Sequence, residues 1–182
     1  MQDLELGLGI RLTYMQSWRA REFVRMMVLG RPDDHYKLLP WMCAAIARAN
    51  PGSVAFCEVE GLRFRRMFVA YAANVNEFKL GCRKILFVHG CHLSEPYKGM
   101  CSLDADNHLF NFVYSIVCGE VIEEWVWFLQ TVMECLGGLK PVIMSDRNPA
   151  LLAAVAHICG KEYHSYYLHH LTENFLKEAA KH

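Results

Sequence analysis

The chain has 182 residues, 53% of them hydrophobic and 21% charged, which is enough apolar material to bury the core of one globular domain. Nineteen basic and nineteen acidic residues balance to a formal net charge of zero, whereas free-standing DNA-binding domains usually carry a basic excess. This composition excludes a strongly basic DNA-binding domain, so any affinity for DNA must come from local clusters or from segments outside this chain.

The N-terminal residues 1–13 contain Asp3 and Glu5 and lack the basic and apolar regions of a secretory signal. No stretch of about 18 residues, the length needed to cross a bilayer, is apolar throughout. We therefore expect an intracellular chain that is neither secreted nor a membrane protein. The eight cysteines stand singly in apolar stretches without a C-x-x-C pair, a pattern that favours reduced thiols over disulfides or a zinc site.

Residues 1–83 are predicted to form a mainly helical N-terminal region. Apolar side chains recur at helical spacing over residues 18–46, and an Asn-Pro-Gly turn follows. Residues 54–59 predict a short strand. The amphipathic segment 64–78 comes next, and its dense basic cluster indicates either a solvated helix face or a contact with DNA; the cluster consists of Arg63, Arg65 and Arg66.

From residue 84 the pattern changes to alternating strands and helices. Residues 85–88 predict a strand that ends at His89, and residues 100–105 and 109–117 flank a turn sequence and predict an antiparallel hairpin. Two glutamates then open a helix where negative charge is favoured. Its apolar stripe consists of Trp125, Phe128, Leu129, Val132 and Leu136.

The last part of the chain continues the alternation. Residues 141–144 predict a buried strand, Asn148 caps a helix, residues 163–166 predict a strand, and a final helix begins near Leu168. A hairpin followed by strand-helix crossovers implies an α/β fold with a mixed sheet flanked by helices, which we assign to residues 84–182.

Several short segments, in this order along the chain, resemble one family. Residues 88–99 read VHGCHLSEPYKG where that family has L-D-G-x-H-L-K-x-x-Y-x-G, residues 125–129 read WVWFL, and residues 143–147 read IMSDR. Residues 164–175 read HSYYLHHLTENF where it has H-x-Y-C-x-x-H-L-x-x-N-F. Together these segments resemble the Mutator-like (MULE) DNA transposases of plants.

The resemblance implies an RNase H-like core with an N-terminal helical extension. Enzymes of that kind hold Mg²⁺ or Mn²⁺ ions among three carboxylates and cut and join DNA. It also implies a nuclear location, DNA as a partner that is weakly bound or lost, and other transposase-derived proteins as further partners. It implies neither a membrane nor a small-molecule cofactor, and no bound metal is expected in this degenerate, C-terminally shortened version.

The family motifs place two residues at remnant catalytic positions, His89 and Asp146. His89 stands where the family has its first aspartate, and a neutral imidazole offers one lone pair and no charge, so it cannot bridge two Mg²⁺ ions. Asp146 matches the second acid and is a weak metal ligand at best, although the bare sequence also fits a turn or capping aspartate. The third acid, a glutamate, is expected beyond His182.

Other features leave alternatives open. The family's cysteine is replaced by Tyr167, so the nearby histidines are either exposed helix residues or part of a metal cluster; they are His164, His169 and His170. The candidate DNA-binding residues are Arg63, Arg65, Arg66, Lys98 and Arg147. The expected function is that of an inactive remnant or domesticated transposase domain. The alternatives are an active enzyme that takes an acid from Asp104 or Asp106, and a transcriptional regulator or protein-interaction module.

Overall fold

The computed structural model of the chain describes residues 13–30, 32–61, 63–81, 83–93, 97–104 and 111–166. Its contacts divide the chain into two compact units, Met1–Leu38 and Leu39–His182. The boundary predicted between residues 83 and 84 falls inside the second unit. The hairpin turn at Asp106 and the final helix from Leu168 lie outside the described residues.

Two helices make up the described part of the first unit, α1 (Tyr14–Leu29) and α2 (Pro32–Tyr36). Helix α1 begins after Thr13, whose hydroxyl accepts a hydrogen bond from Gln16 N at 3.3 Å, while Gln16 Oε1 accepts one from Thr13 N at 2.9 Å. This reciprocal cap satisfies two N–H groups that would otherwise lack partners at the helix start. The helical prediction for the start of the chain is confirmed.

The first part of the second unit contains a helix and a strand that the sequence predicted, and a second strand that it did not predict. The elements are α3 (Leu39–Ala49), β1 (Val54–Glu60), β2 (Arg63–Ala70) and α4 (Ala72–Leu80). The helical interpretation of residues 64–78 is wrong for its first half, because β2 pairs with a neighbouring strand on each side. Residues 67–70 are all buried, and a strand covered on both faces loses the alternation that distinguishes it from a helix.

The second part of the unit follows the predicted order of strands and helices. The elements are β3 (Ile85–His92), β4 (Lys98–Asp104), β5 (Asn111–Val117), α5 (Ile122–Leu136), β6 (Val142–Ser145), α6 (Pro149–Ile158), a 3-10 turn (Lys161–Tyr163) and β7 (His164–Tyr166). Strands β4 and β5 pair antiparallel as predicted. Strand β3 is longer than predicted, since it continues past His89 to pair Cys91 with Gly99 and His92 with Lys98.

The seven strands form one mixed sheet in the order β1-β2-β5-β4-β3-β6-β7. Strand β6 pairs parallel with β3 and with β7, and all other pairs are antiparallel. Strands β3, β5 and β6 therefore finish at the same end of the sheet at which β2 and β4 begin. We call this the carboxyl end of the sheet. The predicted mixed sheet with flanking helices is confirmed.

The core lies between one face of this sheet and the helices α5 and α6. All five residues of the predicted apolar stripe on α5 are buried, and Leu151, Ala154 and Val155 of α6 are buried with them. Phe68 of β2 packs against Trp127 and Phe128 of α5, with ring centroids 6.2 and 6.0 Å apart. At roughly 1.5–3 kcal/mol for each fully buried large apolar side chain, this layer is the main source of stability.

Two other properties of the described residues bear on the class of protein. None of the described helices combines the length and the apolar character needed to cross a membrane. The cysteines of the described part are free thiols: Cys43, Cys57, Cys91, Cys101, Cys118, Cys135 and Cys159.

Arg66 joins β1, β2 and α5 through charged contacts. Its Nε donates to Glu58 Oε2 at 2.8 Å and its Nη1 to Glu124 Oε2 at 3.4 Å, while the guanidinium lies 4.3 Å from the centre of the Trp127 ring. Glu124 is only 6% exposed, at the start of α5 where the helix dipole favours a carboxylate. The guanidinium therefore compensates the negative charge of a carboxylate that is buried away from solvent.

We predict that Arg66→Met destabilises the fold by about 3 kcal/mol, because it leaves the buried Glu124 carboxylate without the guanidinium. Arg63→Met, on the same strand but exposed, should change the free energy of unfolding by less than about 0.5 kcal/mol. Adding Glu124→Gln to Arg66→Met should recover part of the loss. Urea denaturation measures all three, and equal losses for the two single variants would contradict this role of Arg66.

Candidate functional site

The parallel pairing of β3 with β6 brings the two positions that the sequence predicts as remnant catalytic residues to one place. Val88 pairs with Ser145, so the next residues, His89 and Asp146, follow at the same level of the sheet. The prediction that the strand carrying His89 lies beside the strand before Asp146 is confirmed. Because side chains alternate between faces along a strand, His89 lies on the face opposite to buried Val88.

Both ring nitrogens of His89 have partners. Nδ1 lies 3.2 Å from the carbonyl oxygen of Gly90, and Nε2 lies 3.1 Å from Sγ of Cys101, which pairs with His89 across β3 and β4. A carbonyl oxygen can only accept a hydrogen bond, so in the neutral ring Nδ1 carries the proton and Nε2 accepts the thiol hydrogen. The imidazole is thus held by a thiol and a backbone carbonyl.

Asp146 forms the turn that starts α6. Its Oδ1 accepts a hydrogen bond from Asn148 N at 2.9 Å, and Asn148 Oδ1 in turn accepts from Ala150 N at 2.9 Å and from Leu151 N at 3.2 Å. The predicted cap at Asn148, followed by proline in the first turn, is confirmed. The carboxylate of Asp146 is half-buried, and it takes part in the turn that the sequence also allowed.

Glu120 is a further carboxylate at the carboxyl end of the sheet, and sequence reasoning did not identify it as a site residue. Its Oε2 accepts a hydrogen bond from Asn148 Nδ2 at 3.0 Å. The carboxyl group lies over Gly90, where an added Cβ would come within 2.7 Å of Glu120 Cδ. The signal in the sequence is its place between a strand and a helix, which is also the place of Asp146. Glu120 lies on the opposite face of β3 from His89.

The buried hydroxyl group of Ser145 stabilises the turn at Asp146. Ser145 Oγ donates to the Asp146 carbonyl oxygen at 3.0 Å and lies 2.9 Å from His164 Nε2 of β7. Burial lowers the pKa of His164, so its ring is favoured in the neutral form. With the Ser145 hydrogen directed to the carbonyl, His164 Nε2 is the donor. His164 therefore has a structural partner here, while His169 and His170 lie outside the described residues.

The candidate DNA-binding residues also lie towards the carboxyl end of the sheet. Met67 of β2 pairs with Ile116 near the end of β5, so the three arginines that precede Met67 continue in that direction. Lys98 pairs with Val117 at the start of β4, and exposed Arg147 follows Asp146. Four strand spacings separate β2 from β6, about 19 Å in all.

These basic residues differ in how far their charge is compensated. Arg66 is 16% exposed and its guanidinium is held by Glu58 and Glu124, so it is a structural residue of the sheet. Arg65 forms only a loose, exposed contact of 3.9 Å with Glu60, of a kind that contributes less than about 1 kcal/mol. Arg63 is exposed on the same strand.

Residues 92–174 match the family model of the MULE transposase domain. The match covers less than half of this chain. The chain is also similar to Protein FAR1-RELATED SEQUENCE 4 of Arabidopsis thaliana, with 30% identity over 90 residues. That similarity covers 49% of this chain and 10% of the relative, so the chain spans a small part of that protein. None of the solved structures matches the chain.

The two remnant catalytic positions predicted from the sequence differ in their place relative to the matched segment. Asp146 and Glu120 lie inside the matched segment, whereas His89 precedes it by three residues. In the described part of the chain, no three side chains among histidine, cysteine, aspartate and glutamate are grouped so that they could hold a metal ion. The roles of His89 and Asp146 in catalysis or metal binding stay predictions.

The register of β3 and β4 disfavours one alternative acid. Asp104 pairs with Leu86, three residues before His89, and β4 runs away from the carboxyl end of the sheet. At about 3.4 Å per residue, Asp104 lies roughly 10 Å along β4 from Cys101, the partner of His89. Asp104 is therefore not level with position 89, where the family motifs predict an acid. Asp106, the other candidate, lies outside the described residues.

We predict that Gly90→Ala destabilises the second unit by about 1 kcal/mol, because the new methyl group displaces the Glu120 carboxylate from Asn148. In a Glu120→Ala background the same substitution should cost clearly less, since nothing remains for the methyl group to displace. Urea denaturation of the four proteins of this cycle gives the coupling between the two positions. Identical costs of Gly90→Ala in both backgrounds would show that Glu120 does not lie over Gly90.

Proposed function

We propose that this chain is a transposase-derived domain that has lost metal-dependent DNA cleavage and retains weak binding of DNA at the carboxyl end of its sheet. The observation that carries this proposal is the position of His89. It stands level with Asp146 at the end of the parallel pair β3 and β6, where the family places its first acid.

An RNase H-like core is the fold that we infer for strands β3 to β7. These five strands lie side by side in the order β5-β4-β3-β6-β7, so that in chain order the third, second and first strands are followed by the fourth and fifth. The first three are antiparallel neighbours, the fourth follows a helix and pairs parallel with the first, and the fifth follows another helix and pairs parallel with the fourth. This agrees with the fold implied by the family motifs. Strands β1 and β2 extend the sheet beyond that core.

The chemistry of position 89 supports the loss of cleavage. Mg²⁺ and Mn²⁺ prefer oxygen ligands, and a bridging carboxylate also offsets the repulsion between two such ions. Imidazole supplies neither the charge nor a second donor atom. His89 is moreover engaged by Cys101 and by the Gly90 carbonyl, so its lone pair on Nε2 is already in use.

The basic residues support a binding role. Arg63, Arg65 and Arg147 are exposed at the end of the sheet that carries Asp146, and they are spread over about 19 Å, a span that several phosphates of a duplex occupy. These arginines give this end of the sheet a local positive charge that is complementary to phosphate, although the net charge of the chain is zero. A nuclear location is part of this proposal.

We predict that the wild-type chain does not cleave a duplex carrying a MULE terminal inverted repeat in the presence of Mn²⁺. His89→Asp should tighten Mn²⁺ binding by roughly tenfold or more, because it places a second carboxylate level with Asp146. Addition of Asp146→Ala should abolish that gain. Calorimetric titration measures the affinity, and denaturing gels measure the cleavage.

The control for this experiment is His157→Asp, which makes the same exchange at an exposed position on α6 and should leave Mn²⁺ binding unchanged. Cleavage should stay undetectable in His89→Asp until a related C-terminal segment with the family's glutamate is added. Turnover by the wild type that Asp146→Ala removes would overturn the proposed loss of activity.

We predict weak, salt-sensitive binding of duplex DNA, with a slope of log affinity against log salt of about −3 for three phosphate contacts. Arg63→Gln, Arg65→Gln and Arg147→Gln should each reduce the slope by about 1. Arg48→Gln, at an exposed position on α3, is the matched control and should leave it unchanged. Fluorescence anisotropy at several salt concentrations tests this, and nanomolar binding at physiological salt would show that the interface is of another kind.

A second candidate is a domesticated role as a transcriptional regulator, which the similarity to a FAR1-related protein favours. It requires the same DNA binding without cleavage, together with a location in the nucleus. A fluorescent fusion that is excluded from the nuclei of plant cells would count against it, whereas the loss of cleavage would stand.

A further inference from the structure

Two cysteines lie together on the face of the sheet that carries His89. Cys91 follows His89 by two residues on β3 and therefore lies on the same face. Cys101 pairs directly with His89 on β4, and Cys91 pairs directly with Gly99. The two thiols thus occupy diagonal positions across two neighbouring strands, and both are half-buried.

The contacts of these side chains bring the sulfurs to each other. Burial first, and then the Cys91 thiol that hydrogen-bonds to it, raise the pKa of Cys101 to about 12. Gly99 leaves room for this arrangement, because a Cβ at that position would overlap the Cys91 sulfur. His89 Nε2 lies 3.1 Å from Cys101 Sγ on the same face. A dithiol with an adjacent proton acceptor is therefore built into β3 and β4.

We propose that Cys91 and Cys101 are a redox-active pair that closes to a reversible disulfide when the chain meets a peroxide. Nothing in the family match or in the motifs around His89 requires this pair. It belongs to the face on which position 89 lies, and it gives the imidazole there a role in proton transfer.

The reaction balances with hydrogen peroxide as the oxidant. The nucleophile in this reaction is a thiolate. Cys101 forms a thiolate less readily because its pKa is raised, so Cys91 is the thiol that attacks one peroxide oxygen. The O–O bond breaks, Cys91 becomes a sulfenic acid, and the hydroxide released takes up a proton to give water. Cys101 Sγ then attacks the Cys91 sulfur as His89 Nε2 takes its proton. The S–O bond breaks, and the hydroxide leaves with that proton as a second water.

The geometry makes the disulfide between Cys91 and Cys101 reversible rather than a permanent cross-link. Diagonal residues in neighbouring antiparallel strands lie about 7–8 Å apart, beyond the roughly 4.4–6.8 Å between Cα atoms of an unstrained disulfide. Bond closure must shift or twist β3 relative to β4 along the strand direction, and a strained disulfide is more easily reduced. Closure also removes the thiol that holds the Nε2 atom of His89.

The test is oxidation of the folded chain with hydrogen peroxide, followed by blocking of free thiols and mass spectrometry of tryptic peptides. We expect loss of two hydrogen atoms and a linked pair of peptides containing Cys91 and Cys101. In guanidinium the linked pair should form at least about tenfold more slowly, because unfolding removes the proximity of the thiols. A reductant should restore the starting mass.

Two serine variants give matched controls. Cys101→Ser should abolish the linked pair and leave Cys91 as a trappable sulfenic acid, while Cys135→Ser, at another half-buried cysteine, should leave the linked pair unchanged. His89→Gln should lengthen the lifetime of the sulfenic acid by about tenfold if the imidazole takes the Cys101 proton. Circular dichroism verifies that each variant is folded.

Oxidation only to sulfenic and sulfinic acids, with no linked pair in the folded wild type, would overturn the proposal. A linked pair that survives in Cys101→Ser, or that forms equally fast in guanidinium, would do the same, since the linkage would then not depend on this face of the sheet.

Discussion

The parallel pairing of β3 with β6 is the constraint on which the rest of this structure depends. Four consecutive pairs, from Ile85 with Val142 to Val88 with Ser145, fix the strands so that His89 and Asp146 follow at one level. A parallel pair needs a crossover connection, and here α5 lies within it and covers the sheet. The same pairing therefore sets both the packing of the core and the place of the candidate site.

Residues with charges of both signs lie at one end of the sheet. Their burial determines whether a charged pair contributes to stability or stays screened at the surface. Arg66 and Glu124 are mostly out of water, so their pairing matters for stability, and the Trp127 ring adds to it. Arg65 and Glu60 are exposed and 3.9 Å apart, so solvent screens their attraction and leaves the arginine able to meet a phosphate. Three neighbouring arginines that look alike in the sequence thus divide into structural and surface residues.

The family motifs predict an aspartate at position 89, and the histidine found there differs from it in its surroundings as well as in its charge. The ring contacts a thiol and a backbone carbonyl, so the nearest groups are a nitrogen, a sulfur and a neutral oxygen. Such a set suits proton transfer to and from sulfur and suits hard divalent ions poorly. The carboxylate of Glu120 lies on the other face of the strand, held by Asn148 over Gly90, and does not restore the missing acid there.

The sequence by itself determined the order of the elements over residues 84–166, the stripe of α5 and the cap at Asn148, because periodicity and capping are local properties. It also indicated the resemblance to the MULE transposases, through motifs that need no structure. Only the tertiary structure decided that residues 63–70 form a strand, since their burial comes from distant β1, β5 and α5. It likewise brought Glu120 to Asn148, Cys91 to Cys101, and Arg66 to Glu124, because each of these contacts depends on strand register and helix docking, which a single sequence does not encode locally.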